Sequence, residues 1–115
     1  MSVTIYHNPR CTKSRQTLAL LKDQGIEPEI IEYLKAPPSA AELKDILKKL
    51  GKSPRDLMRK KEAPYKDQAL DNPDLSDDAL VEAMVANPVL IERPIVLANG
   101  KAAVGRPPES VLDIL

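Results

Sequence analysis

Apolar and polar positions along the chain change period several times. "SVTIY" (residues 2–6) is a short β-branched run of strand character, and from Ser14 to Gln24 the spacing becomes helical, with Leu18, Leu20 and Leu21 near one face and Gly25 as the stop. "EIIEYL" (residues 29–34) reads as a second strand, buried at Ile30 and Ile31. Ser39 and Glu42 then form an S-x-x-E capping box ahead of Leu43, Ile46, Leu47 and Leu50, the i, i+3, i+4, i+7 signature of an amphipathic helix that Gly51 ends. A short helix follows, with Ser53 as N-cap and Pro54 at its first position. Residues 62–75 carry two prolines and weak periodicity, which predicts loop with fragments of turn. Ser76, Asp77 and Asp78 open another helix that closes near Asn87-Pro88. In "RPIVLANGKAAVG" two short apolar runs flank Asn99-Gly100, a strong hairpin signal, and "PPESVLDIL" supplies a last short helix.

The element order is therefore βαβ, a helical block, then ββα. A βαβ start favours parallel strands joined by a right-handed crossover. The order fits an α/β fold of thioredoxin-like plan, a mixed sheet with a helical insertion between the N-terminal βαβ and C-terminal ββα halves, although periodicity alone also allows another small α/β sandwich. A length of 115 residues predicts one domain spanning residues 1–115.

Composition narrows the partners. Lys plus Arg and Asp plus Glu number 17 each, so no global charge steers the chain toward nucleic acid or an anionic membrane, and ion recognition has to be local. No run approaches the roughly 18 to 20 apolar residues of a membrane span, and the N-terminal residues lack a signal-peptide pattern, which makes the cytoplasm the expected location. The apolar faces fit a monomer. One cysteine and one histidine can build neither an internal disulfide nor a four-ligand zinc site, and no bound metal or cofactor is expected.

Those two residues stand four apart in "IYHNPRCTKSRQTLALL", where strand gives way to helix. A sulfur placed there can lie among the unpaired N–H groups of a helix N-terminus, which favour the thiolate. An ordinary thiol titrates near about 8.5 and is only a few per cent ionised at pH 7. His7, Arg10, Lys13 and Arg15 crowd the same stretch with potential positive charge, and Thr12 and Ser14 add hydroxyls. Most lone cysteines are small buried hydrophobes, but the polar neighbours of Cys11 predict an exposed loop and a reactive thiol. His7 alone is better read as structural or orienting than as a base, and Ser14 either caps the helix or hydrogen-bonds the sulfur. Two motifs are absent: a phosphatase-type anion loop needs arginine where Thr17 stands, and a dithiol motif needs cysteine where Ser14 stands. Without a resolving cysteine, an oxidised or adducted Cys11 has to be cleared by an external thiol.

The blocks "IYHNPRCTKSRQTL", "EPEIIEYLKAPPS", "LMRKKEAPY" and "ERPIVLANGKAAVGRPPESVLDIL" together resemble the glutaredoxin-dependent arsenate reductase family over essentially the whole chain. The resemblance implies a thioredoxin-like fold with a helical insertion, and Cys11 as the nucleophile that attacks arsenate. It implies glutathione as co-substrate forming a mixed disulfide, and glutaredoxin as the partner that resolves it as arsenite leaves. It places Arg59, Arg93 and Arg106 around the oxyanion, gives His7 and Ser14 a part in tuning the thiolate, and makes Arg93-Pro94 a cis bond. Guanidinium groups suit the task, since their forked donors pair with oxyanion oxygens and offset the repulsion between an anionic nucleophile and an anionic substrate. Thr12 and Lys13 depart from the small residues that follow the cysteine in arsenic-resistance members. That departure leaves a second reading: a thiol protein of the same fold that handles glutathione mixed disulfides or binds the transcription machinery.

Overall fold

The run beginning at Val3 forms strand β1 (Val3–His7), and the helical pattern behind it forms α1 (Thr12–Asp23). The computed structural model describes residues 2–115, which divide into two units: residues 2–36 with Arg93–Leu115, and Pro37–Glu92. In the first unit β1 pairs in parallel with β2 (Glu29–Glu32) and antiparallel with β3 (Ile95–Ala98), and β4 (Lys101–Val104) completes a sheet of order β2-β1-β3-β4. Ile5 sits opposite Ile30 on one side and Val96 on the other. The parallel pair needs a crossover, which α1 provides, whereas β3 and β4 need only the two-residue turn at Asn99-Gly100. Both turn residues lie at positive φ (54° and 75°), as a turn matched to the strand twist requires.

Alternation along the strands sends Val3, Ile5, Val96 and Ala98 into one core cluster, closed by Leu21 of α1 and by Val111 of a terminal 3-10 helix (Pro108–Ile114). This layer fixes α1 against the sheet. It thereby places the N-terminus of α1 directly behind the end of β1.

The second unit is helical: α2 (Ala40–Leu50), α3 (Pro54–Leu57), α4 (Ala63–Asp67), α5 (Asp77–Ala86) and a 3-10 turn (Pro88–Leu90). The Ser39 box closes as predicted, with the Glu42 N–H donating to Ser39 Oγ and the Ser39 N–H to Glu42 Oε1, each at 3.1 Å. Gly51 ends α2 at φ 66°. Ser53 and Asp56 form a second capping box on α3, and Ser76 Oγ accepts from the Ala79 N–H on α5. Helices α2 and α3 both pack on α5, with Leu43, Ile46, Leu57, Leu80 and Met84 buried.

Three local expectations change. The isoleucines of β2 are not buried: Ile30 is 45% exposed and Ile31 half-buried, because β2 is an edge strand, and Tyr33 just beyond it (1% exposed) takes the inside position. The stretch expected as loop contains α4, which starts at Ala63-Pro64, where proline costs no helical hydrogen bond. The final helix is a 3-10 coil. No helix among the described residues is long and apolar enough to cross a membrane.

Candidate active site at the end of β1

Cys11 is the N-cap residue of α1, extended at φ −92°, ψ 124°, while its carbonyl already accepts the first helical bond from the Arg15 N–H at 3.0 Å. Helix α1 therefore starts two residues earlier than the periodicity suggested, and the sulfur stands at its mouth. The loop before it is tightly tied. The Cys11 N–H donates to the Asn8 carbonyl at 3.0 Å, and the Arg10 N–H to Asn8 Oδ1 at 3.0 Å. Arg15 reaches back over the loop, donating to the Pro9 carbonyl at 3.0 Å and to Thr12 Oγ1 at 3.3 Å.

Ser14 is fully buried and does not cap the helix with its hydroxyl. Its Oγ lies 2.6 Å from His7 Nδ1 and accepts the Asn8 N–H at 3.0 Å, so one side chain ties the last residue of β1 to the first turn of α1. Its backbone N–H faces the sulfur of Cys11 without closing a cap bond of ordinary geometry. Pro9, Arg10, Thr12 and Lys13 are exposed, as the polar sequence suggested, while His7, Asn8 and Ser14 are buried beneath them. The loop is polar because its groups satisfy one another.

Arg93 and Arg106 lie against the thiol. Arg106 donates from Nη2 to Cys11 Sγ at 3.5 Å and from Nε to the Arg93 carbonyl at 2.8 Å, and the Arg93 side chain is itself hydrogen-bonded to Cys11. The Arg93-Pro94 bond is cis, as expected, and so is Arg106-Pro107. Arg59 belongs to the second unit, where Glu92 at 2.9 Å and Glu62 at 3.4 Å balance its guanidinium. Among the described residues no cluster of His, Cys, Asp and Glu could hold a metal ion.

Partial burial pushes the Cys11 thiol up, but the Ser14 amide, the Arg93 hydrogen bond and the charges of Arg93 and Arg106 together outweigh it, leaving the thiol below its ordinary range. Burial is also the main influence on His7 and lowers it; Glu32 opposes this, while Arg15 and Lys22 add to it. The lowering favours the neutral imidazole, which is hydrogen-bonded to Ser14. Because the thiolate is the species that attacks, the rate of Cys11 alkylation by iodoacetamide is expected to rise with pH along a curve whose midpoint lies below the roughly 8.5 of a free thiol. A midpoint at or above the free-thiol value in a stopped-flow pH series would contradict this electrostatic picture. The linkage has the same sign: a depressed thiol favours the folded state above its unfolded pKa, and that contribution is lost as pH falls through the folded value.

Residues 6–114 match the model of the ArsC family. The chain belongs to the ArsC family. It is 60% identical over 114 residues to the uncharacterized protein YfgD of Escherichia coli K12, covering 98% of this chain and 96% of that one. It is 55% identical to the arsenate reductase of Neisseria meningitidis Z2491, across 98% and 97% of the two chains. The solved arsenate reductase from Vibrio cholerae superposes with a TM-score of 0.97 at 58% identity, over 100% of this chain and 98% of that one. The fold is thioredoxin-like, with the helical block inserted between its two halves.

The sequence had singled out Cys11, His7, Ser14, Arg93 and Arg106, which the structure brings together. It missed Asn8 and Arg15, which hold the loop, and it missed Thr17 and Gly105. An Asn followed by Pro ahead of a helix is a turn signal that could have found Asn8. Arg15 was counted as a charge near the sulfur, whereas its side chain is spent on backbone and hydroxyl oxygens of the loop.

Proposed function

We propose that this ArsC-family chain is an arsenate reductase that turns arsenate into arsenite through the Cys11 thiolate, with glutathione and glutaredoxin as reductants. The observation that carries the reading is the triad of Cys11, Arg93 and Arg106: one activated sulfur at a helix N-terminus with two guanidiniums at its side. Names of close relatives point to the same substrate.

The steps follow from this arrangement. Arg93 and Arg106 hold the oxyanion by forked hydrogen bonds and offset the repulsion between thiolate and anion. The sulfur attacks arsenic, an arsenic–oxygen bond breaks, and the oxygen leaves as water once protonated. Glutathione sulfur then bonds to Cys11 sulfur while the sulfur–arsenic bond breaks, and the two electrons lost by the sulfurs reduce arsenic(V) to arsenic(III). Arsenite leaves with the thiol proton. Because Cys11 is the only cysteine, the mixed disulfide is opened by an external thiol, and glutaredoxin fits that role. His7 and Ser14 act through the loop, fixing where the Ser14 amide points. Arg59, paired with Glu62 and Glu92 of its own unit, is the third guanidinium of this reading.

The test is NADPH oxidation in a mixture of arsenate, glutathione, glutathione reductase and glutaredoxin. Turnover that requires both arsenate and glutaredoxin supports the proposal. A reactive Cys11 thiolate with no arsenate-dependent turnover would assign the same site to another substrate or to a partner protein.

A further inference from the structure

Gly105 stands immediately before Arg106, is buried, and donates its N–H to the Pro94 carbonyl at 2.9 Å. Its backbone is not in the left-handed region, unlike that of Gly25, Gly51 and Gly100, so backbone freedom does not explain a glycine here. Space does. A Cβ at this position would run into the hydroxyl oxygen of Thr17 and come within 2.8 Å of Pro94 Cγ and 3.1 Å of Thr17 Cγ2. Thr17 is 0% exposed, and its hydroxyl donates to the Lys13 carbonyl at 2.8 Å, so it cannot swing aside without losing that bond.

These three residues belong to the three segments that make the site. Thr17 lies on the helix that Cys11 caps, Pro94 follows Arg93, and Gly105 precedes Arg106. The Arg106–sulfur contact, at 3.5 Å, has an ordinary length for a sulfur acceptor, and the same guanidinium donates to the Arg93 carbonyl. Pressing the segments apart at Gly105 moves Arg106, the next residue, relative to the sulfur.

We propose that Gly105 is a positioning residue: its missing side chain lets the Arg106 segment seat against Thr17 and Pro94, and that seating holds both guanidiniums at the Cys11 sulfur. The inference rests on Cys11 being the reactive thiol, and it stands apart from the identity of the oxyanion.

The test compares the pH midpoint of Cys11 alkylation in the wild type, Gly105→Ala, Thr17→Ala and the double variant, with circular dichroism and thermal melts as checks of folding. Gly105→Ala is expected to fold and to raise the midpoint by about one pH unit, a roughly tenfold loss of thiolate below it. Thr17→Ala removes the nearest of the obstructing atoms and leaves Pro94 Cγ at 2.8 Å, so the double variant is expected to return part of the way to the wild-type midpoint. A folded Gly105→Ala protein with an unchanged midpoint overturns the proposal, as does a shift that Thr17→Ala fails to relieve. If Gly105→Ala alone does not fold, the double variant decides. Folding with a midpoint below that of an ordinary thiol supports the positioning role, and failure to fold or an ordinary thiol midpoint overturns it.

Discussion

Cys11→Ser is expected to lose arsenate-dependent NADPH oxidation to the floor of the coupled assay, a fall of roughly 10⁴-fold or more. A serine hydroxyl at this position is not ionised at neutral pH, and no second cysteine exists to take over. The loss is also one of chemistry beyond the first attack, because an oxygen cannot form the disulfide that carries electrons to arsenic. The side chain is only partly buried and the loop bonds around it come from backbone, Asn8 and Arg15, so thermal stability is expected to stay within about 0.5 kcal/mol of the wild type. Residual turnover above a few per cent in a correctly folded Cys11→Ser protein would move the nucleophile elsewhere.

The second large effect is expected from Arg106→Ala. Removing a charged donor aimed at developing negative charge commonly lowers the rate on the order of 10²–10³-fold, and Arg106 serves both sulfur and oxyanion in this reading. Two readouts separate these roles. The alkylation midpoint of Cys11 should rise, since a nearby positive charge that favours the thiolate is gone, and alkylation well above that midpoint should match the wild type. Arsenate should in addition protect Cys11 from alkylation less well than in the wild type at any pH. Arg106→Lys restores charge without the fork, so it is expected to recover the midpoint better than the protection. An Arg106→Ala protein with wild-type kcat/KM would remove this residue from the site.

What could be read from the sequence divides along contact range. The capping box at Ser39, the N-cap at Ser53, the stop at Gly51 and the turn at Asn99-Gly100 are each written within a few residues, and each appears in the structure. Cys11 at a strand-to-helix junction was legible for the same reason. The burial of β2 was not, because the run containing Ile30 and Ile31 looks alike on an inner strand and on an edge; only the sheet order separates the two. The role of Ser14 stayed open between capping the helix and bonding the sulfur because its partner, His7, sits on the preceding strand, and the closing of that pair depends on how β1 and α1 meet. Gly105 and Thr17 were wholly silent, since a missing methyl group has meaning only once a distant segment presses against it.

The contact between Arg106 and Cys11 joins positions 95 residues apart. During synthesis the sulfur therefore leaves the ribosome long before either guanidinium that sharpens it. The share of the thiol's lowering that comes from Arg93 and Arg106 requires the segments around the late strands β3 and β4 to be in place, whereas the Ser14 amide lies three residues away. The full arming of the nucleophile therefore waits on the C-terminal third of the chain.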